Sequence, residues 1–137
     1  MHDLLIVLHI VSTSIMVGVI WVMQLLHYPA LLYVKNETFR QFQNFHMTKI
    51  SIIVVPIMLI ELVSGFIIYL QGERSFEFLV SFALLIILWI MTGLLFTKFH
   101  SRLRKSKDIR IINKMIFLNW YRTLFWSMRL IIIFLMF

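Results

Sequence analysis

Asn119-Trp120-Tyr121-Arg122-Thr123-Leu124-Phe125-Trp126-Ser127-Met128-Arg129 lies inside the last long apolar stretch of the chain and puts two arginines where a membrane helix would meet lipid. At positions i, i+3, i+7 and i+10, Asn119, Arg122, Trp126 and Arg129 share one helix face, so both guanidinium groups point the same way. An unpaired cation near a bilayer centre costs roughly 2.5–3.5 kcal/mol on insertion scales. Each arginine therefore needs a partner, and the partners have to come from other helices.

Working outward, three more apolar stretches complete the pattern. A bilayer core takes about 20 residues of helix, and the chain offers spans near 4–26, 50–70, 78–97 and 117–137. The expected fold is all-α: one transmembrane domain, an antiparallel four-helix bundle with a short interfacial helix between helices 1 and 2. That short helix is read from Asn36-Glu37-Thr38 as a start and from Phe39, Phe42 and Phe45 as an apolar face. Pro29 is expected to bend or end helix 1, and Pro56 to interrupt helix 2. The five-residue turn Gln71–Ser75 should make helices 2 and 3 neighbours. The first apolar run lacks a basic leader and is too long for a signal peptide, so it reads as a retained helix.

Composition bounds the function. At 61% hydrophobic the chain exceeds the ordinary soluble range. Its net charge of +7 comes from loops beside apolar segments, where the positive-inside rule places it, so nucleic acid is not an expected partner. The connectors 35–49 and 98–114 hold ten of the basic residues, against Arg74 alone in the turn on the other side. This predicts a multi-pass cell-membrane protein with both termini outside the cytoplasm. There is no cysteine, which removes disulfides, thiolate nucleophiles and Fe–S ligation. Oligomeric state has no signature here.

The candidate site follows from topology. His27, His46, Asn119 and Arg122 belong to the cytoplasmic end of the bundle and are the candidate catalytic set, with His100 peripheral. Arg122 should lie within reach of His27. Glu61 is the only acid inside a span and lies at the depth of Arg129, about 16–18 Å in by the helical rise, so the two are expected to form a structural ion pair. His9 and His27 are about 27 Å apart along helix 1 and cannot share a site. Two imidazoles from His27 and His46 could ligate haem iron or another metal, although no spacing here forms a metal motif. No phosphate loop, nucleophile motif or carboxylate pair points to hydrolysis or phosphoryl transfer.

Gln24-Leu25-Leu26-His27-Tyr28-Pro29, Phe42-Gln43-Asn44-Phe45-His46, Glu61-Leu62-Val63, Phe99-His100-Ser101-Arg102-Leu103 and the Asn119–Arg129 stretch together resemble a family of uncharacterised four-span bacterial membrane proteins. The element His27-Tyr28-Pro29-Ala30-Leu31 and the loop before helix 4 are also similar to anthrone-oxygenase-like membrane proteins, which implies oxidation of polycyclic aromatics without a conventional cofactor. Leu8-His9-Ile10, Gly18, Pro56 and the basic exit of helix 3 resemble HemJ-type protoporphyrinogen oxidases, a likeness that implies haem with His9 as a ligand. The chain departs from that type at Gln24, where an arginine would stand, and in a helix 3 without an interior lysine.

Two functions from different classes are expected. One is an oxidoreductase or oxygenase-like enzyme acting on a hydrophobic aromatic or porphyrin-like molecule taken from the bilayer, with His27 or His46 as base or ligand and Arg122 on an acidic group. The other is a non-enzymatic membrane component, an assembly partner or small carrier, whose polar residues lock helix packing.

Overall fold

The computed structural model describes residues 2–137. These residues form four long helical segments and no strands: α1 (His2–Tyr33), α2 (Asn36–Leu70), α3 (Phe76–Leu103) and α4 (Ile109–Met136). The first three are long and apolar enough to cross a membrane, which marks the chain as a membrane protein. α4 is long enough but carries Arg110, Lys114, Arg122 and Arg129.

The burial pattern agrees with lipid as the solvent. Large apolar side chains such as Leu25, Ile52, Leu94 and Phe134 face outward, while Glu61, Arg129, Asn119, Thr13 and Gln43 are buried. A water-soluble domain would distribute these side chains the other way round. The apolar core between the polar layers includes Met16, Ile20, Leu88, Met115 and Trp126.

Local chemistry sets the boundaries. Val34 and Lys35 are extended and end α1. Lys107 then donates to the carbonyls of Leu32 (2.9 Å) and Val34 (2.7 Å), supplying donors that the helix end lacks. Gly72, at φ 106°, closes α2, with the Glu73 N–H reaching back to the Ile68 carbonyl. Ser75 caps α3 by accepting from the Phe78 N–H, and Asp108 caps α4 by accepting from Arg110 and Ile111.

Several expected boundaries move. There is no separate short helix between helices 1 and 2, because residues 36–49 run without a break into the apolar part of α2. Pro56 lies inside that helix and does not end it. Pro29 does not end α1 either. A π turn over Met23–His27 precedes it, and the Tyr28 N–H bonds to the Met23 carbonyl. Pro29 therefore sits in the first turn of a fresh helical stretch, where a missing N–H costs little. The basic 98–114 connector shrinks to Arg104–Asp108, since α3 continues to Leu103 and the Asp108 cap starts α4 early.

α1 packs on both α2 and α4, and α3 packs on α4. α2 and α3, despite their short turn, do not pack along their lengths. They meet near the turn, where Tyr69 stacks on Phe82 at 6.4 Å. At the other end the Gln43 amide lies 2.9 Å from His100 Nδ1. Between these two contacts a cavity opens.

Candidate functional site: a cavity beside Arg122

The buried polar residues fall into two groups joined by one tryptophan. In the first, Arg129 Nη1 pairs with Glu61 Oε1, both side chains fully buried. Arg129 Nε also donates to the Ser81 carbonyl (2.9 Å), and Glu61 accepts from Thr13 (2.9 Å) and from the Trp126 indole N–H (3.3 Å). Breaking such a pair by removing one member typically costs about 3–5 kcal/mol, so this group holds all four helices in register.

His9 belongs to the same group. Ser64 spends its hydroxyl proton on the Glu61 carbonyl, so His9 Nδ1 donates to Ser64 Oγ at 2.9 Å, and His9 Nε2 is left facing Arg129 Nη2 at 3.4 Å. Gly65 is the close approach that makes room, since a Cβ there would lie 2.9 Å from His9 Cε1. With both ring nitrogens engaged and helix backbone at its edge, His9 does not fit a haem iron. His27 and His46 do not fit one between them either. Axial imidazoles stand on opposite faces of a macrocycle, and these two rings stack directly at 3.6 Å. Among the described residues no three His, Asp or Glu side chains are grouped to hold a metal ion.

The second group is built around Arg122, which is 5% exposed. Gln24 anchors it: the Gln24 amide donates to the Ile116 carbonyl (3.2 Å) and its oxygen accepts from Asn119 (2.8 Å). Asn119 Oδ1 in turn accepts from Arg122 Nη1 at 3.1 Å. The guanidinium lies 4.1 Å over the Phe96 ring and 5.4 Å from the Trp126 ring, whose N–H serves Glu61. Arg122 Nε has no hydrogen-bond partner, and Arg122 has no carboxylate partner among the described residues. A desolvated cation–π contact is worth about 2 kcal/mol or more, less than the several kcal/mol that burying a charge costs. Arg122 is thus a buried cation only partly compensated by the protein.

It faces a cavity of about 320 Å³ between α2 and α3, roofed by α1. Tyr28, His46, His100 and Thr92 give this cavity a polar side, and Met16, Met23, Ile50 and Val54 an apolar one. Two π turns border it: Met23–His27, which ends next to Tyr28, and Met91–Phe96, which carries Thr92 and Phe96. Such turns rotate side chains out of the regular helical stripe.

Of the sequence candidates, the structure brings Arg122 and His46 onto the cavity wall. Asn119 sits behind Arg122 as its support, and His27 behind His46 as its stacking partner. The expected His27–Arg122 contact is replaced: the Phe96 ring and Asn119 take the guanidinium, and the neighbour of His27, Tyr28, faces the same space. His100 is not peripheral. It is buried, tied to Gln43, and lines the cavity. The Nε2 atoms of His27 and His46 are buried without partners. Sequence reasoning missed Tyr28 and Phe96 as site residues. Tyr28 follows Gln24 by four positions, so the polar stripe of helix 1 could have led to it, whereas Phe96 reaches the site through a π turn that leaves no periodic signal.

Comparison with known proteins gives no match: no family model fits the sequence, and no curated protein or solved structure is similar to it.

Proposed function

We propose that the protein is an oxygenase-like enzyme of the bacterial inner membrane that takes a hydrophobic aromatic acid from the bilayer into the cavity between α2 and α3. Arg122 holds the acidic group, and His46 removes a proton from the bound molecule. The bundle is antiparallel and four-spanning, with both termini outside the cytoplasm and the basic N-terminal third of α2 at the cytoplasmic surface. The concentration of basic residues in the 35–49 and 98–114 stretches supports that orientation.

One observation carries the reading: a buried guanidinium with an unpartnered Nε and no carboxylate borders a cavity of ligand size. A planar guanidinium edge matches a carboxylate bidentately, and in a dry site that match supplies both orientation and affinity. The aromatic preference rests on Tyr28, Phe96 and His46 along the wall. His46, a residue of the cavity wall whose Nε2 is buried without a hydrogen bond, is the base in this reading. At about 320 Å³ the cavity is at the small end of ligand sites, which favours a molecule of a few rings over a porphyrin.

The test is binding of a hydrophobic aromatic carboxylate to the purified protein by native mass spectrometry, beside its methyl ester of nearly the same shape. Retention of the acid and not the ester supports the proposal. Equal retention removes the acid-binding role of Arg122.

A second reading, a non-enzymatic membrane component, is favoured by Glu61 and Arg129, whose side chains are satisfied inside the protein and do not line the cavity beside Arg122. It explains Arg129 and leaves Arg122 without a reason.

A further inference from the structure

We infer that the molecule bound beside Arg122 is an aromatic acid carrying a flexible apolar tail, and that the tail leaves the protein through the opening between α2 and α3 into the bilayer. This rests on the acid-binding reading of Arg122 and adds to it where the rest of the ligand goes.

The opening is a consequence of helix placement. α2 and α3 are held together at Tyr69–Phe82 and Gly65–Phe82 near one end and at Gln43–His100 near the other, with little packing along the length between. The cavity lies in that gap, and its outer wall is made of side chains that are themselves exposed on the apolar surface: Ser51 and Val55 of α2 and Thr97 of α3. A ligand seated at Arg122 therefore has lipid directly to one side. The volume of about 320 Å³ encloses a head of a few rings and little more. A tail is not excluded by that limit, because on the lipid side it needs no enclosure.

The wall beside the head suits a tail of loose conformation. Met47, half-buried beside Ser51, lines it, and methionine adapts to different apolar shapes where a branched side chain would impose one. The outer wall offers little polarity to a ligand, because Ser51 and Thr97 spend their hydroxyl protons on the Met47 and Thr92 carbonyls, and Arg104 is exposed. Tyr28, His46 and His100 surround the Arg122 end, so an amphiphile has one orientation that satisfies both halves: acid inward, tail outward. A tail also answers how an acid reaches a buried site in a membrane. It is delivered by lateral diffusion, already oriented at the depth where the gap opens.

The test uses full-length protein in nanodiscs, with two probes, benzoate and para-dodecylbenzoate, and one obstructing variant. Val55→Trp fills the gap from a lipid-facing position that holds neither the acid nor a buried contact. The expected result is a loss of para-dodecylbenzoate affinity of about tenfold or more, with benzoate changed by less than about twofold. Unchanged binding of the tailed acid, or equal losses for both probes, overturns the route of the tail. Arg122→Gln separates this from the underlying reading: if it changes neither probe, the acid site itself fails. A second measurement holds should Val55→Trp not fold. A para-dodecylbenzoate analogue with a photoreactive diazirine in mid-tail should label Ser51, Val55 or Thr97. Labelling of Met16 or Val19 on the inner wall instead would put the tail inside the bundle and end the inference.

Discussion

Arg122 and Arg129 lie two helical turns apart on one face of α4, both buried, and only Arg129 has a carboxylate. The chain offers Glu61 to one and leaves the other with Asn119, the Tyr28 side chain and two aromatic faces. Two equal charges in similar positions are thus treated differently by the same protein. The paired one closes the bundle, and the unpaired one borders space.

Removing either member of the closed pair should destabilise the fold. Glu61→Gln and Arg129→Met should each cost about 3–5 kcal/mol, because each leaves a buried polar group or charge without its match. The double variant should recover part of the loss. Thermal unfolding in detergent measures all three. Additive losses would show that the two side chains act independently.

Gly65 should tolerate no side chain. Its Cβ would meet His9 at 2.9 Å and Phe82 at 3.2 Å, and neither helix can retreat without disturbing the Ser64–His9–Arg129 contacts. Gly65→Ala is expected to cost about 1–3 kcal/mol as an overpacked site. Substituting Gly18, which has open space around it, serves as the control and should be near neutral. Equal behaviour of the two would contradict the close approach.

The charge distribution makes a prediction about topology. Single cysteines at Arg74 and Ser106, in a chain with no cysteine of its own, should react with impermeant reagents from opposite sides of the membrane, Arg74→Cys from outside the cytoplasm. Labelling of both from one side would mean that α3, which lies between them, does not cross the membrane.

Lys107 ties the connector before α4 to the end of α1 by donating to two carbonyls. Lys107→Met should free these carbonyls and loosen the Leu31–Tyr33 turn, lowering stability by about 1–3 kcal/mol. Faster amide exchange confined to residues around 31–35 would locate the effect, and uniform exchange would argue against it.

Much of this was legible in the sequence, for particular reasons. A glutamate and two arginines inside apolar stretches stand out because lipid penalises them, and matching depths along two helices were enough to put Glu61 opposite Arg129. The helical spacing that put Arg122 on the same face as Arg129 matches their common burial in α4. Helix ends were less legible, because amphipathic turns beyond the apolar core carry charges and read as connectors. Residues 36–49 and 98–103 both proved helical for that reason. The cavity could not be read at all. It depends on α2 and α3 not packing, and a short turn between two helices argues for the reverse. The π turns were equally silent, since one extra residue in a helix changes side-chain direction without changing composition.

The most direct test of the central claim is the affinity of the purified protein for a hydrophobic aromatic carboxylate, measured for the unaltered chain, Arg122→Lys and Arg122→Gln. A charge-assisted hydrogen bond contributes about 1.5–3 kcal/mol, so Arg122→Gln should weaken binding by about 10- to 100-fold, with Arg122→Lys in between and the methyl ester indifferent to both changes. If all three proteins remain folded and bind the acid with the same affinity, Arg122 does not hold it, and the cavity is not the site proposed here.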